Sequence, residues 1–262
     1  MEKNDNNIPI STKWLLDTVG ETGRSRVNSI YLIFCQKTKS KGTGFLIRSG
    51  HIITNSHVIE DCSADEIIAI SNTEQKIKFK DVVFDKNRDL AILSPKDMLV
   101  GGLNVRDKDI KIGRQVLTWG YPFGYNGPAP LLTMGYLSGY RDHMENGASN
   151  IVKRYVINGA FNPGNSGGPL LISGENKVIG VVVSKYSPIT PFLKSALEAL
   201  INQKSGFMYT AKDQEGKDYK LSEAQIIAEF LKHFHNITQV LIGEAIAGME
   251  LIAFLKENNI RY

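Results

Sequence analysis

Long apolar runs, basic clusters and a leader-like N-terminus are all missing from this chain of 262 residues. No uninterrupted apolar stretch reaches the roughly 18 residues that a membrane-spanning helix requires. The first residues are polar and lack the apolar core of a secretory signal. The chain carries 31 Lys and Arg against 27 Asp and Glu residues, a net charge of +4, without a block of like charge. Because phosphate binding needs clustered basic side chains, we expect no nucleic-acid partner, and we expect no membrane span.

Histidine and cysteine, the usual zinc ligands, are also sparse, with five histidines and two cysteines. None of them shows the spacing of a zinc or calcium site. His233 and His235 lie two residues apart in a predicted helix, so they face different ways and do not form a metal pair. Gly42 and Gly44 could start a dinucleotide fingerprint, but β-rich residues follow where that motif requires a helix. We therefore predict no metal and no cofactor.

Short segments rich in β-branched and aromatic residues recur through the first part of the chain. Turn-forming residues separate them, and no long helical pattern intervenes. This spacing predicts a mainly β fold, an antiparallel sandwich or barrel. The predicted strands cover residues 27–36, 42–48, 51–54, 66–70, 76–84, 90–93, 115–119, 131–140, 151–157, 170–172 and 178–184.

The pattern changes at Pro191, where helical periodicity replaces the short strands. Ser222 and Gln225 have the spacing of a capping box, which marks the start of a helix. The helix predicted last is apolar around most of its circumference, unlike an ordinary surface helix. The predicted elements are a helix at 192–203, a hairpin at 207–220 and two helices at 222–235 and 237–257.

These patterns divide the chain into three parts. We predict an N-terminal segment with a short helix at 1–24, a β domain with its closing helix at 25–205, and a C-terminal helical appendage at 206–262. Two interpretations of the appendage stay open: it packs on the β domain, or it docks a regulatory protein or a second copy of the chain. A membrane span is disfavoured because Glu244 and Glu250 would be costly in a bilayer.

A glycine-rich turn, GNSGGP at residues 164–169, holds a serine hydroxyl between two β segments. A serine alcohol is a weak nucleophile, so it needs a general base, and the base needs an orienting group. His57, within TNSHVI, and Asp89, within RDLAIL, offer both. The chain order His, Asp, Ser is that of the chymotrypsin triad.

Four motifs in order make the chain resemble the trypsin-like serine peptidases, most closely their HtrA/Deg branch. They are GTGFLI from Gly42 with the histidine segment, RDLAIL with Asp89, GYPFG from Gly120 with TMGYLSG from Thr133, and the serine turn. The resemblance covers roughly residues 25–186. It implies two packed six-stranded antiparallel β-barrels, with His57 and Asp89 from the first and Ser166 from the second. The PDZ domain usual in that branch is not recognisable in the C-terminal part.

The resemblance implies a serine endopeptidase that cleaves protein or peptide substrates through an acyl-enzyme. Ser166 would be the nucleophile, His57 the general base and Asp89 the group that orients the imidazole. The turn of Gly164, Asn165 and Ser166 would form the oxyanion hole. Two other functions stay open: an esterase would share this chemistry, and a catalytically silent adaptor or chaperone would use the fold for binding alone. The intact triad argues against the silent form.

Two departures from secreted trypsins bear on specificity and control. Trypsins select Arg and Lys with an aspartate six residues before the nucleophile; that position here is Ala160 (166 − 6 = 160), next to Phe161. With Tyr186 as a further wall, the implied pocket is uncharged and suits small or medium apolar residues. Asn165 stands where trypsins have an aspartate that pairs with a new N-terminus. We therefore expect loop order or a partner to regulate activity.

The disulfide that brackets the histidine in secreted trypsins would here join Gly42 and Val58, so that bridge is absent. We therefore predict that Cys35 and Cys62 are reduced and serve as small buried apolar side chains. Reduced thiols and the missing signal segment together predict a cytoplasmic location.

Overall fold

A computed structural model of the chain describes residues 8–106, 110–144, 150–183, 200–202, 208–212, 218–237 and 242–262. The chain divides into two units, one of residues 1–185 and 241–262 and the other of residues 186–240. The strands are β1 (Ile30–Cys35), β2 (Lys41–Leu46), β3 (Ile52–Thr54), β4 (Ile67–Ser71), β5 (Lys76–Asp85), β6 (Leu90–Pro95), β7 (Asn104–Val105), β8 (Gln115–Gly120), β9 (Leu131–His143), β10 (Val152–Asn158), β11 (Pro169–Ile172), β12 (Lys177–Val183), β13 (Met208–Lys212), β14 (Asp218–Ser222) and β15 (Ile242–Ala247). The helices are α1 (Ile10–Thr18), α2 (Glu21–Val27), α3 (Glu223–Ile237) and α4 (Gly248–Glu257).

The first barrel closes from six strands in the order β1-β2-β3-β6-β5-β4, each antiparallel to its neighbours. Strand β5 shows why these sequences form strands: Ile77 and Phe79 point inward, and Lys76, Lys78 and Lys80, which alternate with them, are exposed. Strands β3 and β6 are buried almost throughout, because their second face packs against the other barrel. The shared apolar cluster includes Phe45, Ile53, Ile92, Trp119, Val181 and Ile246.

The second barrel is built from a sheet in the order β11-β8-β9-β10-β15-β12-β7. An additional pairing of β11 with β12 closes six of these strands into a ring, and β7 adds to β12 in parallel outside it. Its interior is filled by side chains that include Leu137, Tyr155, Phe161, Leu170 and Val182. The predicted mainly β fold with two six-stranded antiparallel barrels is confirmed.

The predicted helix at 237–257 is wrong in its first half. Residues Ile242–Ala247 form β15, which pairs with β10 and β12, and α4 begins only at Gly248. A central strand that is buried on both faces gives a continuous apolar run, and periodicity alone does not separate such a run from a buried helix. Residues 242–262 therefore complete the second barrel and its packing, and do not belong to a separate appendage at 206–262.

The second unit contains the predicted hairpin and the predicted capped helix. Strands β13 and β14 pair antiparallel, and α3 follows directly. The capping box is present: the Ser222 N–H donates to Gln225 Oε1 at 2.8 Å, and the Gln225 N–H donates to Ser222 Oγ at 3.3 Å. The predicted helix at 192–203 lies outside the described residues except for 200–202, which are helical.

The predicted state of the cysteines is wrong, because Cys35 and Cys62 form a disulfide. Cys35 ends β1, and Cys62 comes shortly after a 3₁₀ helix at Ser56–Val58 that contains His57. Their Cα atoms lie 6.2 Å apart, within the range that a disulfide spans. The two segments are 27 residues apart in sequence, and their approach depends on the barrel rather than on spacing. The cysteines therefore give no support to the predicted cytoplasmic location.

Candidate active site

His57 and Asp89 meet at one end of the first barrel. The 3₁₀ helix that holds His57 follows β3, and Asp89 directly precedes β6, the strand that pairs with β3. His57 Nδ1 lies 2.8 Å from Asp89 Oδ2 and 3.0 Å from Oδ1. A neutral ring that donates its Nδ1–H to the carboxylate keeps Nε2 as a proton acceptor. This is the arrangement that a general base requires.

The Asp89 carboxylate is held by more than the imidazole. Ser56 Oγ donates to Oδ1 at 2.9 Å, and the His57 backbone N–H donates to the same oxygen at 3.1 Å. Asn55 Nδ2 donates to the Asp89 backbone carbonyl at 2.8 Å. These bonds hold Asp89 in the left-handed region, at φ 58°, which aspartate adopts more readily than most residues. Asn55 and Ser56 were not predicted as site residues, although they directly precede the histidine.

Arg88, the neighbour of Asp89 in sequence, ties this turn to the C-terminal helix. Its guanidinium lies 2.8 Å from Glu257 and 3.4 Å from Glu250, both in α4, and it also pairs with Asp85. The hydrogen bonds to Glu257 are the main cause that raises the pKa of Arg88, against the opposing effect of burial. Helix α4 therefore supports the turn that carries the aspartate.

Ser166 lies buried in the turn between β10 and β11, beside the histidine segment. The backbone N–H of Thr43 in β2 donates to the Ser166 carbonyl at 2.8 Å. Gly42 marks the close approach: a Cβ there would lie 2.7 Å from Val58, the neighbour of His57, and 3.1 Å from the Ser166 carbonyl oxygen. The structure thus brings Ser166 close to the segment that contains His57, at the junction of the two barrels.

At one position of the turn before the serine, the backbone adopts a conformation that only glycine accommodates. Gly164 has a φ of 94°, and a Cβ there would clash with the Tyr121 carbonyl oxygen. The Pro163 carbonyl accepts a hydrogen bond from the Phe123 N–H at 2.6 Å. Because a trans peptide is planar, the Gly164 N–H points away from that carbonyl, toward the other side of the turn.

Asn165 differs from its neighbours in the turn. Its backbone N–H donates to the Asn162 carbonyl at 3.1 Å, so this N–H is engaged within the turn. Its side chain is fully buried, and neither amide atom has a hydrogen-bond partner among the described residues. A neutral amide is less costly in such a place than an unpaired carboxylate would be. Of the predicted oxyanion residues, Gly164 and Ser166 remain as the candidate donors.

Of the residues predicted to line a substrate pocket, Phe161 lies in the interior of the second barrel. This side chain is 4% exposed and belongs to the core of the second barrel. A Cβ on Gly243 of β15 would clash with the ring, so the ring lies directly against that glycine. Ala160 is partly exposed next to it, and Tyr186 lies outside the described residues. Phe161 therefore belongs to the barrel core and lies against a neighbouring strand.

An ion cluster that was not predicted lies on β15 of the same barrel. Glu244 is 4% exposed, and its carboxylate lies 2.6 Å from Arg141 Nη1 of β9 and 3.3 Å from Arg154 Nη1 of β10. Burial raises the pKa of Glu244, but the charges and hydrogen bonds of Arg141 and Arg154 outweigh burial and lower the pKa below its ordinary value. Strand register decides which charges meet, and register is not visible in residue spacing.

Within the described ranges, no group of three or more His, Cys, Asp or Glu side chains is arranged to hold a metal ion. None of the helices in that part of the chain is long and apolar enough to cross a membrane.

Comparison with known proteins finds a family whose match contains all three predicted triad residues. The family described as "Trypsin-like peptidase domain" matches residues 42–181, more than half of the chain. The chain is 34% identical over 169 residues to "Protease Do-like 1, chloroplastic" of Arabidopsis thaliana, covering 62% of this chain and 37% of that protein. It is 31% identical over 180 residues to a "Probable periplasmic serine endoprotease DegP-like" of Hahella chejuensis, covering 68% and 37%. The chain thus spans little more than a third of the length of these relatives.

Solved structures share the fold at lower identity. The active form of the Rv3671c protease from M. tuberculosis gives a TM-score of 0.60 at 19% identity, covering 92% of this chain and 86% of that one. The "HtrA-type protease AlgWS227A with tripeptide" gives a TM-score of 0.58 at 19% identity, covering 92% of this chain and 63% of that one. At such identities the likeness concerns the two-barrel architecture alone.

Proposed function

The chain belongs to the family of trypsin-like peptidase domains, and on that premise we propose that it is a serine endopeptidase acting on protein or peptide substrates. The observation that carries the proposal is the 2.8 Å contact of His57 Nδ1 with Asp89, next to a serine in a glycine-rich turn. A base that a carboxylate orients is what a serine nucleophile needs. The proposal goes further than family membership, because a fold by itself does not determine an activity.

In the proposed reaction, Ser166 Oγ attacks the carbonyl carbon of the peptide bond while His57 Nε2 takes the hydroxyl proton. The N–H groups of Gly164 and Ser166 stabilise the negative oxygen that forms, and such a donor is typically worth about 2.7–4 kcal/mol. His57 then gives the proton to the leaving amine, and an acyl group stays on Ser166. A water molecule, activated by His57, attacks the acyl carbon and restores the free serine.

The pocket supports a preference for small or medium apolar residues before the cleaved bond, such as Ala, Val, Leu and Ile. The Phe161 ring lies in the barrel core against Gly243, so this side of the proposed pocket is apolar and uncharged. Ala160, at the position that selects cations in trypsins, offers no carboxylate. An Arg or Lys side chain would therefore be buried without a partner charge.

Replacing Phe161 by leucine is expected to shift this preference toward larger apolar residues, because the shorter side chain frees volume beside Gly243. A methylene in an apolar pocket is worth about 1–3 kcal/mol, so the kcat/KM ratio of a leucine substrate over an alanine substrate should rise by about tenfold. The measurement is hydrolysis of matched peptides that differ only in the residue before the cut.

The matched control is Phe79→Leu, since Phe79 is fully buried in the first barrel, in a different apolar cluster from Phe161. It should lower stability but leave the ratio unchanged. Mass-spectrometric profiling of cleaved proteins provides the second readout. The proposed specificity is wrong if the wild-type protein cuts mainly after Arg or Lys, or if the two phenylalanine variants change the ratio equally.

The proposed function itself is tested with a fluorophosphonate probe, which reacts with an activated serine. The wild-type protein should be labelled and Ser166→Ala should not, whereas Ser138→Ala, which removes an exposed hydroxyl on β9, should be labelled normally. An unlabelled wild-type protein that still binds unfolded proteins would be a catalytically silent adaptor or chaperone. Turnover of an ester substrate without turnover of the matched peptide amide would identify an esterase.

We extend the proposal to helix α3 as a contact for a second copy of the chain. Its side chains Ile227, Phe230 and Leu231 are exposed and lie three and four residues apart, on one side of the helix. An apolar stripe of this kind normally packs against another protein surface, which removes it from water. Residues 242–262 are no longer part of the docking region predicted at 206–262, because β15 belongs to the second barrel.

Light scattering tests this contact. We expect the wild-type mass to exceed the 29.1 kDa of one chain and to fall toward that value in Phe230→Ser, because the substitution removes apolar area from the contact. Glu229→Gln, at the neighbouring exposed position, is the control and should keep the wild-type mass. A wild-type protein that runs as a single chain at micromolar concentration would rule the contact out.

A further inference from the structure

The Thr43 side chain connects the first barrel to the turn that carries the nucleophile. Thr43 lies in β2 and is fully buried. Its Oγ1 donates to the Gly164 carbonyl at 2.7 Å and accepts from the Tyr121 N–H at 3.0 Å. These partners lie 121 and 78 residues away in sequence, and both belong to the second barrel. One hydroxyl thus satisfies a buried acceptor and a buried donor on either side of the site.

Two backbone hydrogen bonds fix the position of Thr43, and with it the position of its hydroxyl. Its backbone N–H donates to the Ser166 carbonyl at 2.8 Å, and its backbone carbonyl accepts from Thr54 Oγ1 at 2.7 Å. Gly120 leaves room for this arrangement, because a Cβ there would lie 2.9 Å from Thr43 Oγ1. The backbone and the side chain of Thr43 therefore contact the serine turn at two different residues.

The contact at Gly164 bears on the direction of the Gly164 N–H. Two rigid peptide planes meet at this glycine. The Phe123 N–H holds the carbonyl of the first plane, at Pro163, and Thr43 Oγ1 holds the carbonyl of the second plane. A glycine has several accessible backbone conformations, and holding both adjoining carbonyls selects one of them. The Gly164 N–H itself lies in the first plane, so loss of the Thr43 bond would act on its direction through the freed backbone angles of Gly164.

We propose that the Thr43 hydroxyl is a positioning group that aims the Gly164 N–H at the oxyanion during catalysis. This role rests on the proposed function, since it needs a reaction that forms an oxyanion. Thr43 does not touch the substrate and acts through Gly164. Its effect is therefore confined to the transition state, where the N–H bond to the oxygen is strongest.

The test is Thr43→Val, which keeps the side-chain shape and removes the hydroxyl. A misplacement of about 1 Å at a reacting centre can cost about 10² in rate, so kcat on a peptide substrate should fall by about that factor. KM should stay nearly constant, because substrate binding does not use the oxyanion donor in full. Thr43→Ser keeps the hydroxyl and should restore most of kcat.

A second readout separates positioning from a general loss of order. A peptide aldehyde binds by adding Ser166 Oγ to its carbonyl carbon, and its oxygen then occupies the oxyanion site. Its affinity should fall in Thr43→Val in parallel with kcat. The matched control is Thr12→Val: Thr12 is also fully buried, and its Oγ1 donates to the Asn72 carbonyl at 2.8 Å in a different part of the fold. This control should lose stability and keep kcat.

The inference is overturned if Thr43→Val keeps the wild-type kcat, or if Thr12→Val loses as much kcat as Thr43→Val does. It is also overturned if the loss appears in KM alone. Should the valine variant not fold, Thr43→Ala and Thr43→Ser differ by a single hydroxyl and give the same comparison. A wild-type protein without turnover that depends on Ser166 would instead contradict the proposed function, so the two failures are distinct.

Discussion

Replacing Ser166 by alanine is expected to lower kcat on a peptide substrate by about 10⁶, because loss of the nucleophile removes the covalent route altogether. The fold should survive, since the bonds that hold this turn come from its backbone: the Thr43 N–H donates to the Ser166 carbonyl, and the Gly167 N–H donates to the Val182 carbonyl. KM should change little, because the serine hydroxyl contributes mainly to the transition state. Single-turnover and steady-state hydrolysis of one peptide substrate measure both constants.

Asp89→Asn is the companion variant, with an expected loss of about 10⁴ in kcat. Asparagine keeps the size of the side chain but presents a donor where Asp89 accepts from the imidazole, the Ser56 hydroxyl and the His57 N–H. The ring would then favour the wrong tautomer. Asp81→Asn, at an exposed position on β5 of the same barrel, is the matched control and should keep the wild-type kcat. Wild-type turnover in either Ser166→Ala or Asp89→Asn would contradict the triad.

Local patterns were sufficient to predict most of the strands, and the resemblance to the trypsin-like peptidases implied their arrangement in two barrels. Alternation such as Ile77 and Phe79 between lysines reports one buried face directly, so strand β5 was predictable. The candidate residues His57, Asp89 and Ser166 were also predictable, because each lies within a short sequence motif. Strand β15 was not, because it is buried on both faces and reads as a long apolar helix.

The contacts that the sequence did not predict all join segments that are far apart along the chain. The disulfide links residues 27 apart, the Thr43 hydroxyl reaches a carbonyl 121 residues away, and Arg141 and Glu244 are 103 residues apart. None of these pairs leaves a signal in spacing or composition. They follow from strand order and register, which are decided by the packing of the whole barrel.

Removing the charge of Glu244 is expected to destabilise the protein strongly. The carboxylate forms ion pairs with Arg154, whose side chain is also buried, and with Arg141, which is half exposed. Glu244→Gln would leave the Arg154 guanidinium buried with a neutral amide, and breaking a buried pair in this way typically costs about 3–5 kcal/mol. Urea unfolding measures the loss as a lower midpoint, and the same change at exposed Glu229, paired with Lys232, should cost less than about 1 kcal/mol.

The dependence of this effect on pH gives a second measurement. Because the folded protein lowers the pKa of Glu244 below its ordinary value, the ion cluster stabilises the fold above that ordinary value and loses its contribution as the pH falls through the lowered one. The stability difference between wild type and Glu244→Gln should therefore be largest near neutral pH and shrink in acid. Replacing Glu244 and Arg154 together by methionine should recover much of the loss, because no buried charge is then left unpaired at that position. If Glu244→Gln unfolds at the wild-type urea midpoint at neutral pH, the cluster does not stabilise the second barrel.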